Sequence, residues 1–145
     1  MDHDYELLYE EVVGRLVLRV LATWFHWTGE VLAMPTFLAA PHVLHPSGRL
    51  RALRVRPEVA VTIDTETFPP EVLTIRGHVT IGEVEGIPVE YASAARRYLG
   101  AQAAHAYLDQ IDQPGTRMAQ IDLHPTWVGV LDFQVRQPGA LGGIS

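Results

Sequence analysis

The densest chemistry in the chain lies between His42 and Pro57. The stretch His42-Val43-Leu44-His45-Pro46-Ser47-Gly48-Arg49-Leu50-Arg51-Ala52-Leu53-Arg54-Val55-Arg56-Pro57 holds Arg49, Arg51, Arg54 and Arg56, in a protein with only eleven basic residues. The spacing predicts a short helix over Arg49–Arg56, begun near Ser47 and stopped by Pro57. At 100° per residue Arg49 and Arg56 share one flank and Arg51 and Arg54 another, with Leu50 and Leu53 in the wedge between. A helix start presents unpaired N–H groups and a positive partial charge, and an arginine in its first turn adds a fork that fits phosphate. That pattern suits a small anionic ligand; it also suits a surface helix with solvated arginines, and spacing alone leaves both open. His42 and His45 sit three apart, but Pro46 follows directly and no third ligand is near in sequence, so no metal site is expected.

A second set of polar residues lies on Val72–Ile81, where Leu73, Ile75, Val79 and Ile81 alternate with Thr74, Arg76, His78 and Thr80. A period of two with one polar face describes a strand whose other side packs the core, so Arg76 and His78 face solvent, a ligand or a partner.

Short elements separated by Gly and Pro must position these groups. The pattern predicts a helix from about Asp4 to Val13, a strand from Arg15, a turn at Thr28-Gly29 and a strand over Glu30–Phe37. A strand over Val59–Ile63 precedes Val72–Ile81. Pro88 opens a helix that Gly100 ends, and Ala101–Ile111 forms another. Gln113-Pro114-Gly115 is a turn, followed by strands over Arg117–Leu123 and Thr126–Val135, with His124-Pro125 as the turn between them. Six or seven strands joined mostly by short turns favour an antiparallel barrel with flanking helices, mainly β within the α+β class.

Composition narrows the functions. At 145 residues and 48% hydrophobic, the chain reads as a single domain over 1–145 with enough apolar residues for a core. It has no cysteine, so thiolate chemistry and Cys-ligated metals are excluded. Every basic residue is Arg, which removes Schiff-base chemistry on lysine. A net charge of −6 argues against a nucleic-acid partner. The acidic start Met1-Asp2-His3-Asp4 is unlike a signal peptide, and no apolar run reaches the ~20 residues of a membrane span. A cytoplasmic protein with no membrane partner is expected.

Several stretches together resemble the pyridoxamine 5′-phosphate oxidase-like proteins of the FMN-binding split-barrel superfamily. They are Thr23-Trp24-Phe25-His26-Trp27-Thr28-Gly29, Ala40-Pro41-His42, Arg49-Leu50-Arg51-Ala52-Leu53, Val59-Ala60-Val61-Thr62-Ile63-Asp64, Val72-Leu73-Thr74-Ile75-Arg76-Gly77, Arg97-Tyr98-Leu99-Gly100, and Pro125-Thr126-Trp127-Val128-Gly129-Val130-Leu131-Asp132-Phe133. The resemblance covers about Thr23 to Pro138 and rests on the order and spacing of these stretches. It implies a six-stranded antiparallel split β-barrel with flanking helices. It also implies a homodimer that binds FMN, or the deazaflavin F420, between subunits, and an oxidoreductase activity on a small-molecule substrate. A non-catalytic module binding a flavin or another anionic ligand is the alternative. Carried over by position, Thr36 matches the strand-end hydroxyl that holds the phosphate. Arg49 stands at the family's Lys in a Lys-x-x-Asn-Leu pattern, with Ala52 in place of the Asn and Leu53 retained. In an alternative register His42 takes the Lys position. Arg51 lies near the phosphate, and Arg76 or His78 faces the ring or the substrate. Arg15–Trp24 is short for the strand–turn–strand hairpin that precedes the Trp-Phe motif in the family.

Overall fold

The computed structural model describes residues 7–11, 16–41, 43, 48–133 and 135. His42 and His45 lie outside the described residues, as does Ser47 at the expected helix start.

The first departure from the sequence pattern is at the N-terminus. Leu7–Glu11 is a strand, β1, where a helix was expected, and it pairs antiparallel with β2, Leu16–Val20. The register runs from Leu7 opposite Val20 to Glu11 opposite Leu16, bringing Leu8, Tyr9 and Glu10 across from Arg19, Leu18 and Val17. Cross-strand pairing overrides a short helical periodicity that an isolated segment of this length could not sustain. β1 and β2 form a two-stranded sheet apart from the main one.

β3 (His26–Trp27) and β4 (Leu32–Ala33) are joined by a turn in which Thr28 Oγ1 accepts from Glu30 N and Val31 N, while Thr28 N donates to Val31 O. Gly29 takes φ +102°, which this turn requires and glycine reaches without strain. The strand expected over Glu30–Phe37 is divided into β4 and β5 (Thr36–Ala39), because Pro35 has no N–H to continue the ladder. α1 (Gly48–Val55) follows, then β6 (Glu58–Asp64) and β7 (Glu71–Glu85). A helical pair, α2 (Val89–Leu99) and α3 (Ala101–Ile111), turns at Gly100, and β8 (Arg117–Asp132) closes the order.

β8 is continuous where two strands and a turn were expected. Arg76 pairs with Trp127 and Gly77 with Pro125, so Thr126 is an extra residue and the strand passes the proline as a bulge. The bulge exchanges faces: Gln120, Asp122 and His124 before it share a side with Trp127, Gly129 and Leu131 after it. Gly77 permits this crossing, since a Cβ there would stand 2.0 Å from His124 O.

The main sheet is antiparallel and six-stranded, in the order β3-β4-β8-β7-β6 with β5 also on β8. It is not closed. Among the described residues β3 and β6 keep one unpaired edge each, so the expected barrel is an open sheet. One face carries the core: Leu32, Met34, Ile75, Val79, Ala119, Ile121 and Leu123 are buried, with Leu50 of α1 packed against them. The alternation on β7 accounts for this, since Ile75 and Val79 point inward while Arg76, His78 and Thr80 are exposed. The other face carries α2 and α3, whose Tyr91 and Ile111 enclose Met118 with Trp24, Phe37, Ile87, Tyr107 and Leu108 around them. Ala94, Ala95 and Ala104 are fully buried in this helical layer.

Candidate functional site

The predicted residues fall into two groups on opposite faces of the sheet. Thr36 pairs with Ala119, a core-face residue, and is half-buried at the start of β5. Arg49 lies on the same face, in the first turn of α1, because Leu50 next to it anchors that helix in the core. The Arg49 side chain is partly buried, and its Nη1 donates to Thr23 Oγ1 at 3.0 Å. Thr23 in turn donates to Trp24 O at 3.2 Å. The first turn of α1 contains no acidic residue, so nothing in it offsets the positive field of the helix start. Arg51 is exposed on the same helix, and Arg54 reaches Glu83 at 3.8 Å. A half-buried guanidinium in the first turn of a helix is a donor of the kind that small anions take.

Arg76 and His78 lie on the face away from the core. The Arg76 guanidinium sits 4.6 Å from the Trp127 ring centroid, a cation–π contact across the β7–β8 register. The Trp127 indole also occupies the place where a Cβ on Gly129 would stand, with Cη2 2.2 Å from it, so the ring lies along the strand. His78 stacks on His124, centroids 5.0 Å apart and planes within 11°. His124 Nε2 is 3.0 Å from Thr80 Oγ1.

Further along β8 the same side of the sheet carries Gln120 and Asp122. Gln120 Nε2 donates to Asp122 Oδ1 at 3.0 Å, while Gln120 Oε1 is buried with no hydrogen-bond partner. Burial pushes the Asp122 carboxyl up from its ordinary value, with Glu90 adding to the rise; the Gln120 hydrogen bond and His124 oppose it. Tyr91 in the adjacent helical layer is held protonated far into the alkaline range by burial and by its hydroxyl contact with Tyr107 at 2.8 Å.

A shallow cavity of about 320 Å³ opens at the β6–β7 turn, lined by Ile63, Asp64, Thr65, Glu71, Val72, Leu73 and Val130. Its polar rim is acidic, which disfavours an anion, and none of the predicted residues lines it. No group of three metal-ligating side chains occurs among the described residues, and no helix there is long and apolar enough to cross a membrane.

Thr23 and His124 were not singled out from the sequence as site residues. Thr23 precedes Arg49 by 26 positions, and no local spacing signals their contact. His124-Pro125 has the pattern of a turn, and the register that joins His124 to His78 exists because β8 runs through Pro125.

No family model matches the chain, and no curated protein does. Among solved structures it is similar to the conserved hypothetical protein Rv2991 of Mycobacterium tuberculosis, with a TM-score of 0.56 and 16% identity over 85% of this chain and 74% of that one. A second similar structure is a protein of unknown function from Agrobacterium tumefaciens, with a TM-score of 0.44 and 20% identity over 86% of this chain and 48% of that one. The mycobacterial likeness is one of fold: this chain shares its backbone arrangement over most of its length.

Proposed function

We propose that the chain is a flavin-dependent oxidoreductase of the pyridoxamine 5′-phosphate oxidase-like type, binding FMN (alternatively the deazaflavin F420) in a homodimer and acting on a small molecule. The observation that carries this reading is Arg49: a half-buried guanidinium in a helix first turn without acidic residues, fixed by Thr23, in a protein of net charge −6. Arg49 would hold the phosphate, with Thr36 on the same face and Arg51 at the exposed side of the helix. The bound flavin would supply hydride transfer, while the protein orients the ring and limits access of water and oxygen. Exposed Trp127, Val128, Val130 and Leu131 support the homodimer.

A second reading has its own observation. Arg49 already donates to Thr23, which lowers the number of N–H groups it can turn toward a ligand, and this favours a vestigial or non-catalytic binding module. Purified protein separates the readings. Flavin absorption bands, or FMN affinity well above riboflavin affinity, support a phosphate-binding flavin site, and colourless protein indifferent to FMN refutes it. Reoxidation of reduced flavin faster with protein than without distinguishes an enzyme from a binder.

A further inference from the structure

Strand β8 has two neighbours only along its first half. β5 pairs with it over Arg117–Ala119 and β4 at Asp122 and Leu123, so from His124 to Leu131 its second edge has no strand partner among the described residues. That edge is flanked by exposed apolar side chains on both faces. Trp127 (48% exposed) and Leu131 (59%) lie opposite Arg76 and Val72, while Val128 (54%) and Val130 (65%) lie opposite Ile75 and Leu73. Natural sheets blunt such edges with charge, proline or shortness. The outer edge of β6 follows the rule, with exposed Glu58 and Asp64 at its two ends. Between Thr126 and Leu131 β8 carries no charge and no proline.

The segment is also complementary to itself. Paired antiparallel about Gly129, Trp127 meets Leu131 of a second copy, Val128 meets Val130, and Thr126 meets Asp132. Apolar residues then face apolar residues on both sides of the sheet, and no like charges oppose each other. A two-fold arrangement uses each edge once, so it closes at two copies and does not grow into a filament. Gly129 suits the centre, because it has no side chain to oppose its own copy and the Trp127 indole lies over it. Phe68 (94% exposed) and Val135 (82%) add apolar surface at the same end, where Phe133 N donates to Pro70 O.

We propose that the Thr126–Asp132 edge of β8 pairs with the same segment of a second copy, joining two sheets into one antiparallel sheet with its two-fold axis at Gly129. The inference rests on the homodimer reading above and specifies its contact. Because the chain has no cysteine, single thiols report the register directly. Val128→Cys and Val130→Cys are prepared separately, checked for native melting, then mixed, left to exchange subunits and mildly oxidised; a double variant serves where exchange is slow. In the proposed register the two introduced thiols are directly opposed only in the mixed or double variant. In either single variant they lie on a diagonal about 7–8 Å apart, beyond the ~4 Å Cβ separation a disulfide needs. The expected result is a disulfide dimer at least tenfold more abundant in the mixture or the double variant than in either single variant. A dimer by light scattering without that enrichment overturns this contact and leaves the homodimer standing. A 16 kDa particle at micromolar concentration overturns both.

Discussion

Replacing Gly77 with Ala tests the account of the bulge that sets Arg76 against Trp127 and His78 against His124. The added Cβ would stand 2.0 Å from His124 O, 2.8 Å from His124 C and 3.0 Å from a Leu123 methyl. Ordinary contact begins near 3.4 Å, so the gap must widen by more than 1 Å. The first two atoms are backbone, and no rotamer change relieves them. Overpacking typically costs 1–3 kcal/mol, and a clash that forces two paired strands apart belongs at or above the top of that range, about 3 kcal/mol. For a domain of this size that corresponds to a fall in melting temperature of roughly 10 °C. Gly82 is the matched control: it lies on the same strand with nothing within 4 Å, and Ala there should change stability by less than ~0.5 kcal/mol. Thermal melts followed by far-UV circular dichroism measure both variants. A Gly77→Ala melt within about 2 °C of wild type would refute the bulge geometry, and with it the placement of Arg76 over Trp127.

Arg49→Ala should weaken FMN binding about ten- to a hundredfold by titration calorimetry, with riboflavin nearly unaffected, since a charge-assisted fork is worth roughly 1.5–3 kcal/mol. Equal FMN affinity in both proteins would exclude Arg49 as the phosphate ligand. Thr116→Val keeps side-chain volume but removes the 2.9 Å bond to Ile111 O, and should lower stability by about 1–3 kcal/mol in urea titrations with an unchanged slope. The folded state holds a proton on Asp122 more tightly than the unfolded chain, whose value is near 3.8, so this group's contribution to stability falls as pH rises above about 4. Asp122→Asn should therefore gain on wild type between pH 3 and pH 7, and denaturation curves in which the gap does not change across that range would show that Asp122 is not perturbed.

Legibility in the sequence followed how local the determining contacts are. The alternation on Val72–Ile81 identified both faces of β7, because a strand packed on one side only must show that period. The three helices were readable from Pro88, Gly100 and the apolar spacing around Leu50 and Leu53. Tyr5, Leu8 and Val12 fit a helical stripe, and only the pairing of Leu7–Glu11 with Leu16–Val20 selects the strand. Pro125 misled differently. A proline inside a strand ordinarily ends it, yet this one stands at a bulge, one of the few places a sheet accepts it. The Arg49–Thr23 contact joins residues that no periodicity links, so the helix was foreseeable and its anchor was not. The openness of the sheet depends on long-range closure, for which the strand pattern carries no signal.

The α2–α3 pair has a kinetic consequence through its position between β7 and β8. Pairing of those strands begins with Glu85 opposite Arg117 and ends with Glu71 opposite Asp132, so the chain enclosed between partners lengthens steadily along the ribbon. Helices form in about a microsecond or less, and once α2 and α3 have met they hold Glu85 near Arg117. The strands can then zip from the helical end outward, each new pair adding only a few residues to a loop already closed. Amide exchange should follow the same gradient, slower in the half of the ribbon from Val79 to Glu85 than toward Val72 and Leu131.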